Sequence, residues 1–133
     1  MKKFSFKKFS FILFFLPSIC FAKDWNFDVL MDGKLIGEHT FQLKEEEKFH
    51  QLTSNANFKV TVLSIPVYKY KHISQELWNK NCLHSINAST KDGGDDYKVV
   101  GKFETNTFKL IEPAKEAFSA ECPMTFSYWN PLM

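Results

Sequence analysis

Between Trp25 and Met31 apolar and polar residues alternate, with Trp25, Phe27, Val29 and Met31 on one side and Asn26 and Asp28 on the other. A two-residue period is that of a strand with one buried face. Asp32-Gly33-Lys34 follows, and aspartate and glycine both tolerate the positive φ that tight hairpin turns demand. Leu35, Gly37, His39, Phe41 and Leu43 then alternate with Ile36, Glu38, Thr40 and Gln42, which predicts a returning strand. The charged residues 44–48 read as a solvated loop, and residues 49–63 grow rich in β-branched side chains at Val60-Thr61-Val62. Pro66 punctuates the pattern before a polar-aromatic strand over 67–78. Asn79-Lys80-Asn81 and Asp92-Gly93-Gly94-Asp95 are turn signals around a strand at 82–90, with further strands expected at 97–103 and 108–111. The best helical stretch, residues 114–120, spans two turns and follows a proline. Six or seven strands in sequential order make an all-β antiparallel meander, which either wraps as a curved open sheet or forms an incomplete up-and-down β-barrel.

Ahead of this pattern lies a segment of another kind. Seven of the 15 phenylalanines fall within the first 21 residues, and Lys2, Lys3, Lys7 and Lys8 precede an apolar run that Pro17 ends. A basic start, a short apolar core and a small residue at Ala22 are the layout of a secretory signal peptide over 1–22. The core falls short of the roughly 20 apolar residues of a comfortable membrane span. An uncleaved anchor, or lipid attachment at Cys20, fits less well, since Ile19 is bulky where lipoprotein processing wants a small residue. Cleavage after Ala22 leaves one domain over 23–133, and 13 lysines against 15 carboxylates, a formal charge of −2 in place of +2. The chain has no arginine and the remaining lysines form no cluster, so no nucleic-acid partner is expected. Membrane contact is expected only through the signal segment during export, with a periplasmic or secreted destination.

Removing the signal also removes Cys20 and leaves Cys82 and Cys122 as an even pair bound for an oxidising compartment, where a disulfide between them is the natural reading. Two separate thiols are the alternative. A zinc site is poorer, because neither cysteine has a second ligand at short metal-binding spacing.

Candidate chemistry concentrates on one strand. Alternate residues share a face, so Tyr68, Tyr70, His72, Ser74, Glu76 and Trp78 line up, opposite Val67, Lys69, Lys71, Ile73, Gln75 and Leu77. Rings interleaved with hydroxyl, imidazole and carboxylate groups suit a ligand face, with apolar walls for affinity and a few polar groups for orientation. The plainer reading is a half-exposed sheet face whose rings shield their cross-strand neighbours. His72 and Glu76 stand roughly 13 Å apart along a strand, too far to act as a pair, so a catalytic reading needs a partner such as His39 or His84 from elsewhere. Asp92, Asp95 and Asp96 surround Gly93-Gly94 without the alternation of a calcium loop and read as a solvated hairpin. No phosphate loop, nucleophile elbow or metal-ligand spacing is present, so no cofactor and no metal are expected, and no residue is assigned a catalytic role.

Trp25-Asn-Phe-Asp-Val, the Asp32-Gly33 hairpin, Tyr70-x-His72-x-Ser74-x-Glu76-x-Trp78 with Cys82-Leu83, and Phe126-Ser-Tyr-Trp-Asn-Pro131 together resemble the bacterial envelope proteins grouped as domain of unknown function 6134. The resemblance implies an exported β-rich protein of Gram-negative bacteria without an assigned activity, and ordinarily a longer one. The aromatic, uncharged residues 124–133 look like the start of another strand, so the domain is expected to be incomplete at its C-terminus. The expected function is a non-enzymatic binding module for a lipid-like or other apolar small molecule. The alternatives are an envelope component docking on another protein, and an enzyme using His72 or Glu76 as general acid or base.

Overall fold

A computed structural model describes residues 21–112 and 119–125. It consists of eight strands: β1 (Phe21–Met31), β2 (Lys34–Glu45), β3 (His50–Val62), β4 (Ile65–Asn79), β5 (Cys82–Asp92), β6 (Asp95–Glu104), β7 (Thr107–Glu112) and β8 (Ser119–Ala120). They form one antiparallel sheet in the order β1-β2-β3-β4-β5-β6-β7-β8, an open meander in which each strand pairs with its sequence neighbours. The all-β open-sheet expectation is met, with more strands than the six or seven anticipated. The expected signal segment lies outside the described residues except for Phe21 and Ala22, which begin β1 and pair with Glu45 and Lys44; most of 114–120 and the last eight residues lie outside as well. Of the helical candidate, Ser119 and Ala120 are described, and they are strand.

The turns follow their residues. Asp32 and Gly33 both hold positive φ, as do Thr105 and Asn106 between β6 and β7. One turn departs from the expectation. Pro66 does not end a strand but sits inside β4 opposite Thr61, beside a bulge between Val60 and Thr61, where its missing N–H interrupts no regular ladder. The chain reverses instead at Leu63 and Ser64, at φ of 49° and 67°. Neither is a residue that composition marks for a left-handed turn.

One face of the sheet is buried and the other wet. Along β3, Leu52, Ser54 and Ala56 are buried while Asn55 and Asn57 are exposed, and along β4 Ser74, Glu76 and Trp78 alternate with more exposed Ile73, Gln75 and Leu77. Leu43, Leu52, Trp78, Leu83 and Phe108 form the core, joined at its margin by Trp25, Phe41, Ile86, Phe103 and Leu110. Trp78 is 0 % exposed. A flat single sheet would leave the outward side of such a ring in water, so this face must curl over itself and be covered. Two details permit the packing. A bulge at Leu77/Trp78 gives β5 an extra residue, His84, and so turns Leu83 as well as Ile86 towards the core. Gly101 leaves room for the Phe108 ring, whose Cζ would stand 2.5 Å from any Cβ added there.

Part of the cover comes from the segment after β8. Cys82 and Cys122 form a disulfide with Cα atoms 4.8 Å apart. Beside it the Leu83 amide donates to the Pro123 carbonyl at 3.0 Å, and Pro123 is buried. The disulfide pairing read from the cysteine count is therefore present.

Candidate ligand face

All six candidate residues of β4 lie on the buried face, but they divide into two groups. Ser74, Glu76 and Trp78 are built into the interior at one end, whereas Tyr70 and His72 are half-buried and Tyr68 is exposed at the other. The strand register explains the division. The lower half of β4 lies level with Leu52 of β3 and Ile86 of β5, and beneath the disulfide-tied segment. The upper half lies level with Phe58, Thr90 and Asp92, nearer the sheet's open end.

Glu76 is the centre of the lower group. Its Oε1 accepts from Ser74 Oγ at 3.1 Å, and its Oε2 accepts from Trp78 Nε1 at 2.9 Å and from Thr125 Oγ1 at 3.0 Å. Among the described residues three donors compensate the desolvation of this carboxylate, and hydrogen bonds to a charged acceptor are among the stronger ones. The Thr125 bond also ties the segment after the disulfide to the C-terminal end of β4.

In the upper group the register brings together residues that the sequence leaves 33 positions apart. His39 of β2 and His72 of β4 both face Ala56 of β3, one from each side. Each imidazole is held by a hydroxyl: His39 Nε2 shares a 2.8 Å hydrogen bond with Ser54 Oγ, and His72 Nδ1 shares one of 2.7 Å with Thr90 Oγ1. Desolvation lowers the pKa of His39, with a further push from His72; desolvation also lowers that of His72, against an opposing pull from Glu76. Both imidazoles are thus biased towards the neutral form, which offers one donor and one acceptor. His84, the other candidate partner, lies elsewhere, tilted against Phe49 at 5.3 Å and stacked on Phe103 at 5.8 Å.

Around the two histidines runs a belt of rings. Phe27 meets Phe41 edge-on at 6.0 Å, Phe41 lies 4.1 Å from His39, and His39 meets Phe58 at 6.4 Å. Phe58 stacks on Tyr70 at 5.2 Å, and Tyr70 on His72 at 6.4 Å. Between the rings the floor consists of the small residues Ser54, Ala56, Ser74 and Ala88. At the rim Tyr68 donates its hydroxyl to Asp92 Oδ1 at 2.6 Å, which raises the pKa of the phenol. Phe27, Phe41 and Phe58 were not among the sequence candidates. Alternation put Phe27 and Phe41 on defined sides of their strands, but only the pairing of β1 with β2, β2 with β3 and β3 with β4 brings the three rings into one belt with Tyr70.

Among the described residues no group of three or more His, Cys, Asp or Glu side chains could hold a metal ion, and no helix is long and apolar enough to cross a membrane. A family model described as Domain of unknown function (DUF6134) matches residues 27–133. The chain belongs to this family. Searches of curated proteins and of solved structures gave no match.

Proposed function

We propose that this member of the DUF6134 family is exported to the periplasm and acts there as a non-enzymatic binding module, holding a lipid-like or other apolar small molecule against the ring belt. The carrying observation is the upper half of the buried face: two hydroxyl-held, neutral-biased imidazoles over a small-residue floor, bordered by Phe41, Phe58 and Tyr70. Large apolar walls supply affinity, and the few fixed polar groups orient a headgroup. Glu76 belongs to a different part of the design. With both oxygens engaged and the carboxylate buried, it anchors the covering segment and does not face a ligand. Export is supported by the basic-apolar start of the chain and by the Cys82–Cys122 disulfide, which fits an oxidising compartment.

Native mass spectrometry of protein taken from the cell envelope, together with titration with fatty acids and an environment-sensitive dye, tests the reading. A co-purifying apolar ligand, and binding that Tyr70→Ala and Phe58→Ala each weaken, is the expected result. Repeated absence of any ligand and no uptake of fatty acid or dye would reject it.

A further inference from the structure

From Lys48 to Gln75 the chain carries no carboxylate, and within this stretch stand Lys59, Lys69 and Lys71. The same stretch forms the β3–β4 hairpin. The β2 ladder on β3 ends at Phe58, and the β5 ladder on β4 ends at Tyr70. Residues 59–69 therefore run on as two strands paired with each other, about 13 Å beyond the last full rung at roughly 3.3 Å per residue. Beyond the bond from the Gly93 amide to the Lys69 carbonyl and that from Tyr68 to Asp92, the tip has no other hydrogen bond to the rest of the sheet among the described residues.

The tip is apolar where an isolated soluble hairpin would be polar. Leu63 is 92 % exposed, Ile65 65 %, Val67 59 % and Val62 54 %. Leu63 also takes the positive φ of the turn, a strained conformation for a residue with a branched side chain. A leucine that is both strained and in water contributes nothing to this fold that a glycine or asparagine would not do better. Such outliers point to function. Behind the tip, Lys59, Lys69 and Lys71 make no ion pair among the described residues. Among the described residues carboxylates stand only at the hairpin's base: Glu38 and Asp28 border the same surface hollow as Lys59, and Asp92 lies level with Tyr70 at the β5–β6 turn.

We propose that the β3–β4 hairpin tip inserts into the interface of an anionic lipid bilayer, with Leu63, Val62 and Ile65 entering the headgroup boundary and the lysines resting on acidic headgroups. An apolar wedge backed by unpaired lysines is complementary to such a surface in both chemistry and geometry. This contact is separate from the ring belt and does not depend on a ligand being bound there.

The test uses the full protein as expressing cells accumulate it, sedimented with phosphatidylglycerol-rich vesicles and with pure phosphatidylcholine vesicles. Binding to the anionic vesicles, weakened by salt, is expected. Leu63→Asp, which suits the turn's φ and disturbs no packing, should weaken it about tenfold or more. Replacing both Lys59 and Lys69 by Ala should weaken it on the order of twentyfold and flatten the salt dependence. Leu63→Trp should give blue-shifted emission with anionic vesicles. Because each variant is compared with its parent, any lipid affinity of the N-terminal segment is common to both. Equal binding by Leu63→Asp and parent, or no binding by either, would overturn the proposal. So would a lipid-free oligomer that Leu63→Asp dissolves, which would assign the tip to contact between copies.

Discussion

Glu76 shows how one residue can tie together local and distant parts of a sheet. Ser74 and Trp78 are its neighbours on the same strand face, while Thr125 reaches it from 49 residues away. Glu76→Gln keeps the size but replaces one acceptor oxygen with an NH2 group that must face a donor. The expected loss is about 1–3 kcal/mol in denaturant unfolding, the cost of an unsatisfied buried group; an unchanged midpoint would show that the three bonds add little. The two imidazoles that flank Ala56 make stability depend on pH. Burial lowers the pKa of His39 and His72 in the fold, so between the folded value and the unfolded value near 6.5 the unfolded chain binds more protons. Their contribution is complete above about pH 6.5 and is lost as pH falls through the folded pKa. Thermal midpoints should drop over that window in the parent, and replacing both histidines by Gln should flatten this part of the profile. A parent profile level across it would contradict the shifts.

At the scale of elements, the weak points are where two backbones come closest. At Gly37 a Cβ would overlap the Asn57 carbonyl oxygen and stand 2.8 Å from Phe58 Cα. Backbone cannot yield as a flexible side chain can, so Gly37→Ala should open the β2–β3 ladder and cost several kcal/mol, whereas Gly94→Ala, which meets nothing within 4 Å, should stay within about 0.5 kcal/mol of the parent. Comparable losses at the two sites would remove the steric account. Gly37 also marks the limit of what periodicity reveals. Alternation located the strands, placed the six β4 residues on one face, and identified the Asp32-Gly33 turn from its own chemistry. It could not supply register. That His39 and His72 flank Ala56, and that Phe58 stacks on Tyr70, follow from which rung of β3 meets which rung of its neighbours. The Leu63-Ser64 turn was hidden for a related reason: Pro66 carries the stronger local signal, while the actual reversal holds leucine and serine at the positive φ that glycine or asparagine ordinarily takes.

For the whole molecule, the question is how a single sheet without a helix among its described residues keeps Trp78 dry. Sheet curvature brings β2 and β7 side chains into one core, but the face at β4 and β5 also needs a lid, and the described lid is short. β8 contributes two rungs on β7, Pro123 accepts one amide, Thr125 donates once to Glu76, and Cys122 bonds to Cys82. Of these the disulfide contributes most, because closing 40 residues of chain removes entropy from the unfolded state worth about 4 kcal/mol. For a domain of this size that is a large part of the total stability. Reducing the bond, or replacing both cysteines by Ser, should therefore lower the unfolding midpoint sharply. It should also loosen residues 122–125, weaken the Thr125–Glu76 bond, and move tryptophan emission to the red as water reaches Trp78. A lower midpoint with unchanged emission would mean that the disulfide acts on the unfolded chain alone, with the lid held by its hydrogen bonds; an unchanged midpoint would mean that the sheet's own curvature, and not the tied segment, protects the core.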